Sequence, residues 1–256
     1  MARKPSQKPQ VVILCGGQGM RLREKTESIP KPLVEIGGKP ILWHLMKIYA
    51  HYGFTDFILC LGYKGELIRE FCRQITQWRV TPVETGLETN TGGRLKLVRP
   101  YVTSPTFFTT YADGLANIDL PHLLAFHQQQ ETIATMTCVK PRTHFGLVEI
   151  GPEHRVTGYR EKPQLDTWVN GGFLTFEQRV FDYLEDNDVL EQAPMARLMR
   201  EGQLSAYPFD RFWVCMDTYK DHLLLNQLWN EGRADWKLWR ENERRVARAA
   251  RVRDGV

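Results

Sequence analysis

Residues 11–22 read VVILCGGQGMRL and decide the fold of this chain. The first four residues form a short, β-branched apolar run, which predicts a buried strand. Three glycines follow within five residues. Such residues let a ligand approach the backbone closely and can point N–H groups at an anion. The segment therefore predicts a strand that ends in an anion-binding loop.

The segments around this loop alternate between strand and helix patterns. Apolar side chains of residues 41–52 form one helical stripe after Pro40, a second buried strand covers 57–61, and a second helix covers 65–72. Further strands are predicted at 107–111, 132–139, 171–176, 205–209 and 212–216, further helices at 120–130, 177–185 and 220–231, and a hairpin at 145–150 and 155–159. This alternation predicts a single α/β domain with a doubly wound, mostly parallel, Rossmann-like sheet and a small β-rich insertion.

The composition is that of an ordinary soluble globular protein, with 42% hydrophobic and 25% charged residues. No apolar run approaches the roughly 20 residues of a membrane helix, and residues 1–10 lack an apolar signal segment. The five cysteines are widely spaced and show no zinc pattern. Residues 1–10 and 240–256 carry +3 each and the rest of the chain −2, which together give the net charge of +4. We therefore expect a cytoplasmic protein with neither a membrane nor a nucleic acid as partner.

The glycine loop fits neither of two common nucleotide-binding patterns. Leu22 stands where a dinucleotide fold has its third glycine, and the G-K-[ST] of a Walker loop is missing. Arg21 adds a positively charged, planar guanidinium group after the loop. Lys31 follows between Pro30 and Pro32, which predicts a stiff, extended segment. These features predict a site for a triphosphate, although a plain glycine-rich turn stays possible from this segment alone.

Two aspartates are the candidate metal ligands. Asp113 and Asp217 each follow an apolar strand, FFTTY and FWVCM respectively. Ligands bind at the carboxyl ends of strands in open α/β sheets, and Mg²⁺ prefers carboxylate oxygens. A helix cap or a turn is the alternative for either residue.

The stretch LCGGQGMRLREKTESIPKPLVEIGGKPILWH (14–44) resembles the signature of the sugar-nucleotide pyrophosphorylases. The further matches keep the family's order: GYKGELI (62–68), VETGLETNTGGRLK (83–96), TYADG (110–114), EKP (161–163), NGGF (170–173), EGQL (201–204) and MDTYKD (216–221). Within that superfamily the chain is similar to the glucose-1-phosphate cytidylyltransferases. The departures are Cys15, Met20 and Ala112, where the family usually has alanine, threonine and glycine, and a shorter segment after Cys72.

The resemblance implies Mg²⁺-dependent transfer of CMP from CTP to α-D-glucose 1-phosphate, which gives CDP-glucose and pyrophosphate. The product would supply deoxysugar and surface polysaccharide biosynthesis, and the enzyme would be a homo-oligomer. UTP, dTTP or a different phosphorylated acceptor is one alternative. An inactive subunit that binds sugar nucleotides is another, and it is disfavoured because Arg21, Lys31 and both aspartates are present.

The resemblance also assigns roles to residues. The implied catalytic residues are Arg21, Lys31, Asp113 and Asp217, of which the two aspartates hold the metal. The implied nucleotide-binding residues are Leu14, Gly16, Gly17, Gly19, Met20, Arg21, Lys31, Thr89, Gly92, Gly93, Arg94 and Ala112. The implied sugar-phosphate-binding residues are Gly146, Glu161, Lys162, Asn170 and Gly171.

Two of these groups have expected contacts. Arg94 would donate to O2 and N3 of cytosine, while the backbone of Gly92 and Gly93 would contact the exocyclic amine; a simple helix start at this TGG is the alternative. Lys162 would hold the sugar 1-phosphate, while Glu161 and Asn170 would form hydrogen bonds with sugar hydroxyls.

The chain is expected to divide into three segments. These are a flexible N-terminus (1–10), one nucleotidyltransferase domain (11–239) with nucleotide-binding (11–114) and sugar-phosphate (115–239) parts, and a basic tail (240–256).

Overall fold

The computed structural model describes residues 8–19, 22 and 26–240. The strands are β1 (Val11–Leu14), β2 (Glu35–Ile36), β3 (Lys39–Pro40), β4 (Asp56–Leu61), β5 (Arg79–Glu84), β6 (Thr106–Tyr111), β7 (Gly114–Ala116), β8 (Ala134–Val139), β9 (Leu147–Ile150), β10 (Val156–Arg160), β11 (Val169–Glu177), β12 (Leu204–Phe209) and β13 (Trp213–Cys215). The helices are α1 (Ile41–His51), α2 (Gly65–Arg73), α3 (Thr91–Leu97), α4 (Leu120–Gln130), α5 (Ala193–Arg200) and α6 (Tyr219–Asn230).

The central sheet has seven strands in the order β12-β8-β11-β6-β1-β4-β5. All its strands run in one direction except β11, which is antiparallel to both of its neighbours. Apolar side chains cover both faces, because Val11 and Ile13 pack into one buried cluster with α1 while Val12 and Leu14 pack into another with α3 and α5. The predicted doubly wound, mostly parallel sheet is confirmed.

The strand order creates a crevice beside β1. From β1 the chain proceeds through α1 to β4 on one side, and β6 pairs with β1 on the other side. The connections that follow β1 and β6 therefore leave the sheet at adjacent carboxyl ends. Such a switch point is where open α/β sheets bind ligands. The glycine loop after β1 and Asp113 after β6 both lie at this edge.

Two predicted elements differ from the structure. The helix expected at 177–185 is a short 3₁₀ helix, Gln178–Tyr183, which follows directly on β11. The strand expected at 212–216 is present as β13, but it pairs with β7 outside the central sheet. The predicted hairpin is confirmed, since β9 and β10 are antiparallel.

The end of the described chain packs against α1. Trp236 is fully buried and Trp239 nearly so, and both rings lie against His44. Residues 241–256, most of the expected basic tail, lie outside the described residues, as do 1–7 of the expected N-terminal segment. Within the described part of the chain, no helix is both long enough and apolar enough to cross a bilayer.

Candidate active site

A short antiparallel ladder brings Asp113 and Asp217 together. In the pairing of β7 with β13, Cys215 lies opposite Gly114. The next step of the ladder places Met216 opposite Asp113, and Met216 N donates to Asp113 O at 2.9 Å. Residues 104 positions apart in the sequence therefore meet because β7 and β13 pair immediately beside them. The apolar strand pattern alone does not indicate this pairing.

Lys31 joins the two aspartates. Its Nζ donates to Asp113 Oδ2 and to Asp217 Oδ1, both at 2.7 Å. The flanking prolines place Lys31 at the start of a 3₁₀ turn, Lys31–Leu33, rather than in the extended segment that was expected. Proline is favoured in the first turn of a helix because its φ is already helical. The lysine side chain therefore starts from a rigid base.

Charge and burial act in opposite directions on Lys31. Burial lowers the pKa of this ammonium, but the negative charge of Asp113 and the hydrogen bonds to Asp113 and Asp217 outweigh it and raise the pKa overall. Lys31 is therefore a fixed positive charge. The side chains are only 12% exposed for Lys31, 24% for Asp113 and 29% for Asp217, so these interactions are partly shielded from water.

The donor set around the aspartates suits a divalent metal ion. One ligand atom from each of Asp113, Cys215 and Asp217 lies within 4.8 Å of the other two. Two carboxylate oxygens that converge on one cation, here the Lys31 ammonium, are oriented as a metal site requires. Burial and the two nearby carboxylates raise the pKa of the Cys215 thiol, which keeps the sulfur protonated.

A cavity of about 570 Å³ extends from these residues along the glycine loop. Its walls come from the glycine loop, the Lys31 turn, the loop before α3, the end of β6 and the two aspartates. The lining residues are Leu14, Cys15, Gly16, Gly17, Gln18, Gly19, Lys31, Pro32, Leu87, Glu88, Thr89, Asn90, Thr91, Arg94, Tyr111, Ala112, Asp113 and Asp217. The structure thus brings most of the predicted nucleotide-binding residues to one cavity.

Arg94 lines the cavity, and its side chain is hydrogen-bonded within the protein. Its guanidinium is buried beneath the glycine loop, where a Cβ on Gly16 would collide with it. The two terminal nitrogens donate to five protein oxygens: Leu61 O, Thr85 Oγ1, Gly86 O, Gly16 O and Leu87 O. The hydrogens expected to contact O2 and N3 of cytosine are therefore engaged with the protein. Arg94 fixes the shape of the loops that form the cavity wall.

Gly92 and Gly93 lie at the N-terminal end of α3. They form its first turn, which matches the helix start that the sequence left open as the alternative to base contacts. Their N–H groups both donate to Asp188 O, at 2.8 and 3.1 Å, and neither glycine is among the cavity-lining residues. They hold α3 against residues 187–191. Thr89, in contrast, does line the cavity.

The sugar-phosphate candidates lie apart from the cavity lining. Glu161 and Lys162 are exposed beyond the end of β10, with Lys162 Nζ 2.8 Å from Glu161 Oε1. Gly146 lies in the same hairpin, close to the ring of Tyr159. Asn170 lies on β11, where its Oδ1 accepts from Gly172 N at 2.9 Å. Gly171 is buried in β11, and its carbonyl accepts from Trp213 Nε1 at 2.7 Å.

Two of the predicted site residues lie outside the described residues, and two residues at the site were not predicted from the sequence. Met20 and Arg21 lie outside the described residues, so their roles stay predictions. Tyr111, which lines the cavity and donates to Glu191, was not predicted, nor was Cys215. Their positions next to ADG and MD are the signals that could have identified them.

The chain is similar to known nucleotidyltransferases along most of its length. A family model described as nucleotidyl transferase matches residues 10–218. The chain is 42% identical over 254 residues to the "Probable glucose-1-phosphate cytidylyltransferase" of Bacillus subtilis (strain 168), with 90% of this chain and 100% of that protein covered. It is 40% identical over 257 residues to the glucose-1-phosphate cytidylyltransferase of Salmonella typhi, with 90% and 99% covered.

A solved structure shares the fold. HddC from Yersinia pseudotuberculosis superposes with a TM-score of 0.70 over 86% of this chain and 99% of that one. At 23% sequence identity, this likeness shows the fold alone.

Proposed function

The chain belongs to the nucleotidyl transferase family, and we propose that it transfers CMP from CTP to α-D-glucose 1-phosphate. The products are CDP-glucose and pyrophosphate. The names of the Bacillus and Salmonella relatives support this choice of substrates. We also propose that the enzyme is a cytoplasmic homo-oligomer that supplies deoxysugar and surface polysaccharide biosynthesis, with a nucleotide-binding part (11–114) and a sugar-phosphate part (115–239).

One observation carries the proposal. Lys31, Asp113 and Asp217 come from three distant parts of the chain, and Lys31 Nζ lies 2.7 Å from a carboxylate oxygen of each aspartate. All three line the cavity that begins at the glycine loop. A fixed cation, a carboxylate pair and an anion-binding loop are what a reaction between two phosphorylated substrates requires.

The reaction is a displacement at phosphorus. An oxygen of the sugar 1-phosphate attacks the α-phosphorus of CTP, the bond to the bridging oxygen of the β-phosphate breaks, and pyrophosphate leaves. The protein contributes mainly by positioning the substrates and by stabilising negative charge. The glycine loop, Arg21 and Lys31 bind the triphosphate, and Ala112 and Leu14 form the wall beside it.

The two carboxylates are the proposed metal ligands. Asp113 and Asp217 would hold a divalent ion, which we propose is Mg²⁺, and the ion would supply positive charge that neutralises the phosphates. Thr89 and its neighbours in residues 87–91 contact the base, while Arg94 keeps their loop in place. On the other side, Lys162 binds the sugar phosphate and Glu161 and Asn170 bind sugar hydroxyls.

The test is pyrophosphate release with Mg²⁺ and each of the four nucleoside triphosphates, with and without glucose 1-phosphate. We expect release with CTP plus glucose 1-phosphate, and CDP-glucose as the product. Asp113→Asn should lower kcat by about 10²–10³, the scale of losing one charge-stabilising group. The matched control is Asp182→Asn, since Asp182 is exposed and pairs with Arg99.

Each outcome decides between the hypotheses about the substrates and the activity. Release with UTP or dTTP keeps the mechanism and overturns the base assignment. Release only with another phosphorylated acceptor overturns the sugar assignment. No release in any pairing favours the inactive binding subunit. Equal activity in the Asp113 and Asp182 variants would contradict the placement of the metal.

A further inference from the structure

We propose that Cys215 is a third ligand for thiophilic divalent metals at the site of Asp113 and Asp217. Zn²⁺ or Co²⁺ would then be held by two carboxylates and one thiolate, whereas Mg²⁺ would use the carboxylates alone. Cys215 is thereby a residue that determines which metals the site accepts. This inference rests on the proposed function only in assuming that the two aspartates hold a divalent ion.

The position of Cys215 follows from the β7–β13 ladder. It is the last residue of β13 and lies opposite Gly114, which has no side chain to separate the sulfur from Asp113. The ligand atoms of Asp113, Cys215 and Asp217 all lie within 4.8 Å of one another. Metal–ligand bonds of about 2.0–2.3 Å keep the ligands of one ion within about 4.6 Å of one another, so side-chain rotations that draw the three atoms closer let them share one metal ion.

The chemistry of the three donors separates the metals. Mg²⁺ requires octahedral oxygen coordination and keeps several of its waters, so a thiol adds little to its binding. Zn²⁺ is commonly held by three protein ligands in catalytic sites, and thiolate sulfur is among its preferred donors. When such a metal binds, the thiol proton leaves to solvent and the sulfur takes the metal in its place.

Inhibition by zinc follows from this selectivity. A Zn²⁺ ion held by Asp113, Cys215 and Asp217 occupies the position of Mg²⁺ with a different coordination geometry. Cys215→Ser keeps the size of the side chain and removes the sulfur. The Zn²⁺ concentration that halves each variant's own Mg²⁺-dependent activity should rise at least about tenfold in Cys215→Ser, since even indirect supports of a metal ligand have effects of that size.

The direct test is spectroscopic and needs no turnover. Co²⁺ is added to the purified full chain without substrates, bound metal is measured by equilibrium dialysis, and the near-ultraviolet band of thiolate-to-cobalt charge transfer is recorded. We expect the band in the wild type and its loss in Cys215→Ser. The matched control is Cys138→Ser, which removes a half-buried thiol on β8 and should keep the band.

The outcomes are distinct from those of the activity assay. A band that persists in Cys215→Ser, or bound cobalt without a band in the wild type, overturns the proposal. Failure of Co²⁺ to bind the wild type also overturns it. Pyrophosphate release with Mg²⁺ tests the proposed function separately, so an active enzyme without the cobalt band would reject this inference alone.

Discussion

On the nucleotide side of the cavity, buried Arg94 ties the glycine loop, the end of β4 and residues 85–87 together through five hydrogen bonds. On the hairpin side, the contacts of Lys162 and Glu161 are local: they pair with each other, and Tyr159 donates to Glu161 at 2.5 Å. The nucleotide side is built into the folded core, whereas the hairpin side is exposed. Substitutions on the first side should alter both stability and nucleotide binding; those on the second should alter sugar-phosphate binding alone.

The largest effect is expected from Arg94→Met. This change removes the guanidinium from four carbonyls and the Thr85 hydroxyl; Leu61 O and Gly16 O keep backbone donors, whereas Gly86 O and Leu87 O lose the guanidinium as donor. A buried acceptor left without its donor costs about 1–3 kcal/mol, so for these two carbonyls the free energy of unfolding should fall by about 2–6 kcal/mol. Urea denaturation measures this loss, and KM for CTP should rise as the loop loses its support.

The control for Arg94 is Arg79→Met. Arg79 is on β5, 74% exposed, and contacts Asp56 at 3.5 Å. An exposed ion pair contributes little to stability, so this variant should unfold like the wild type. If both arginine variants lose the same free energy of unfolding, the nucleotide side is not held together by Arg94 as the comparison states.

The pH dependence of unfolding tests the buried packing of α1 against the end of the described chain, through His44. Burial lowers the pKa of His44 to about 4, while the backbone of Ile36 holds Nε2 at 2.8 Å and Trp236 donates to Nδ1. Between pH 6.5 and 4 the unfolded chain binds a proton that the folded chain does not. Stability is therefore full above pH 6.5 and falls as the pH drops towards 4, by about 3 kcal/mol.

His44→Gln removes the titrating group and should flatten this part of the pH profile, although its stability at neutral pH is lower. His51→Gln is the control, because His51 is exposed at the end of α1. A profile that keeps its full slope in His44→Gln would assign the pH dependence to other groups.

The central sheet could be predicted because strand and helix periodicities are local properties of the sequence. Residues 11–14 are apolar throughout, and they are buried on both faces of the sheet. The hairpin was also predictable from two short runs close together in the chain. The helix expected at 177–185 was not, because its pattern does not distinguish a short 3₁₀ helix from an α-helix.

The candidate site was predictable only in part, because its contacts are long-range. The residue types at Lys31, Asp113 and Asp217 indicated phosphate and metal chemistry, but their meeting depends on the pairing of β7 with β13. The burial of Arg94 was not predicted, because an arginine in a motif gives no sign of it. Its five acceptors are mostly backbone carbonyls, which have no signature in the sequence.

The hairpin side is tested by Lys162→Met. If Lys162 binds the phosphate of the sugar, loss of a charge-assisted hydrogen bond of about 1.5–3 kcal/mol raises KM for glucose 1-phosphate roughly 10- to 100-fold. Unfolding should change by less than about 0.5 kcal/mol, as is usual for an exposed site. Arg155→Met is the control, since Arg155 is an 81% exposed cation of the same hairpin. Equal kinetic effects in both variants would show that only the net charge matters.

The smallest and sharpest test compares two tyrosines. Tyr111 OH donates to Glu191 on the nucleotide side, and Tyr159 OH donates to Glu161 on the hairpin side. Tyr111→Phe should lower the free energy of unfolding by about 1 kcal/mol, the usual net contribution of a hydrogen bond, and raise KM for CTP. Tyr159→Phe should leave unfolding unchanged and raise KM for glucose 1-phosphate, because Glu161 then loses the contact that orients it beside Lys162. Identical responses of the two variants in unfolding and in both KM values would mean that the two sides of the cavity are equally rigid.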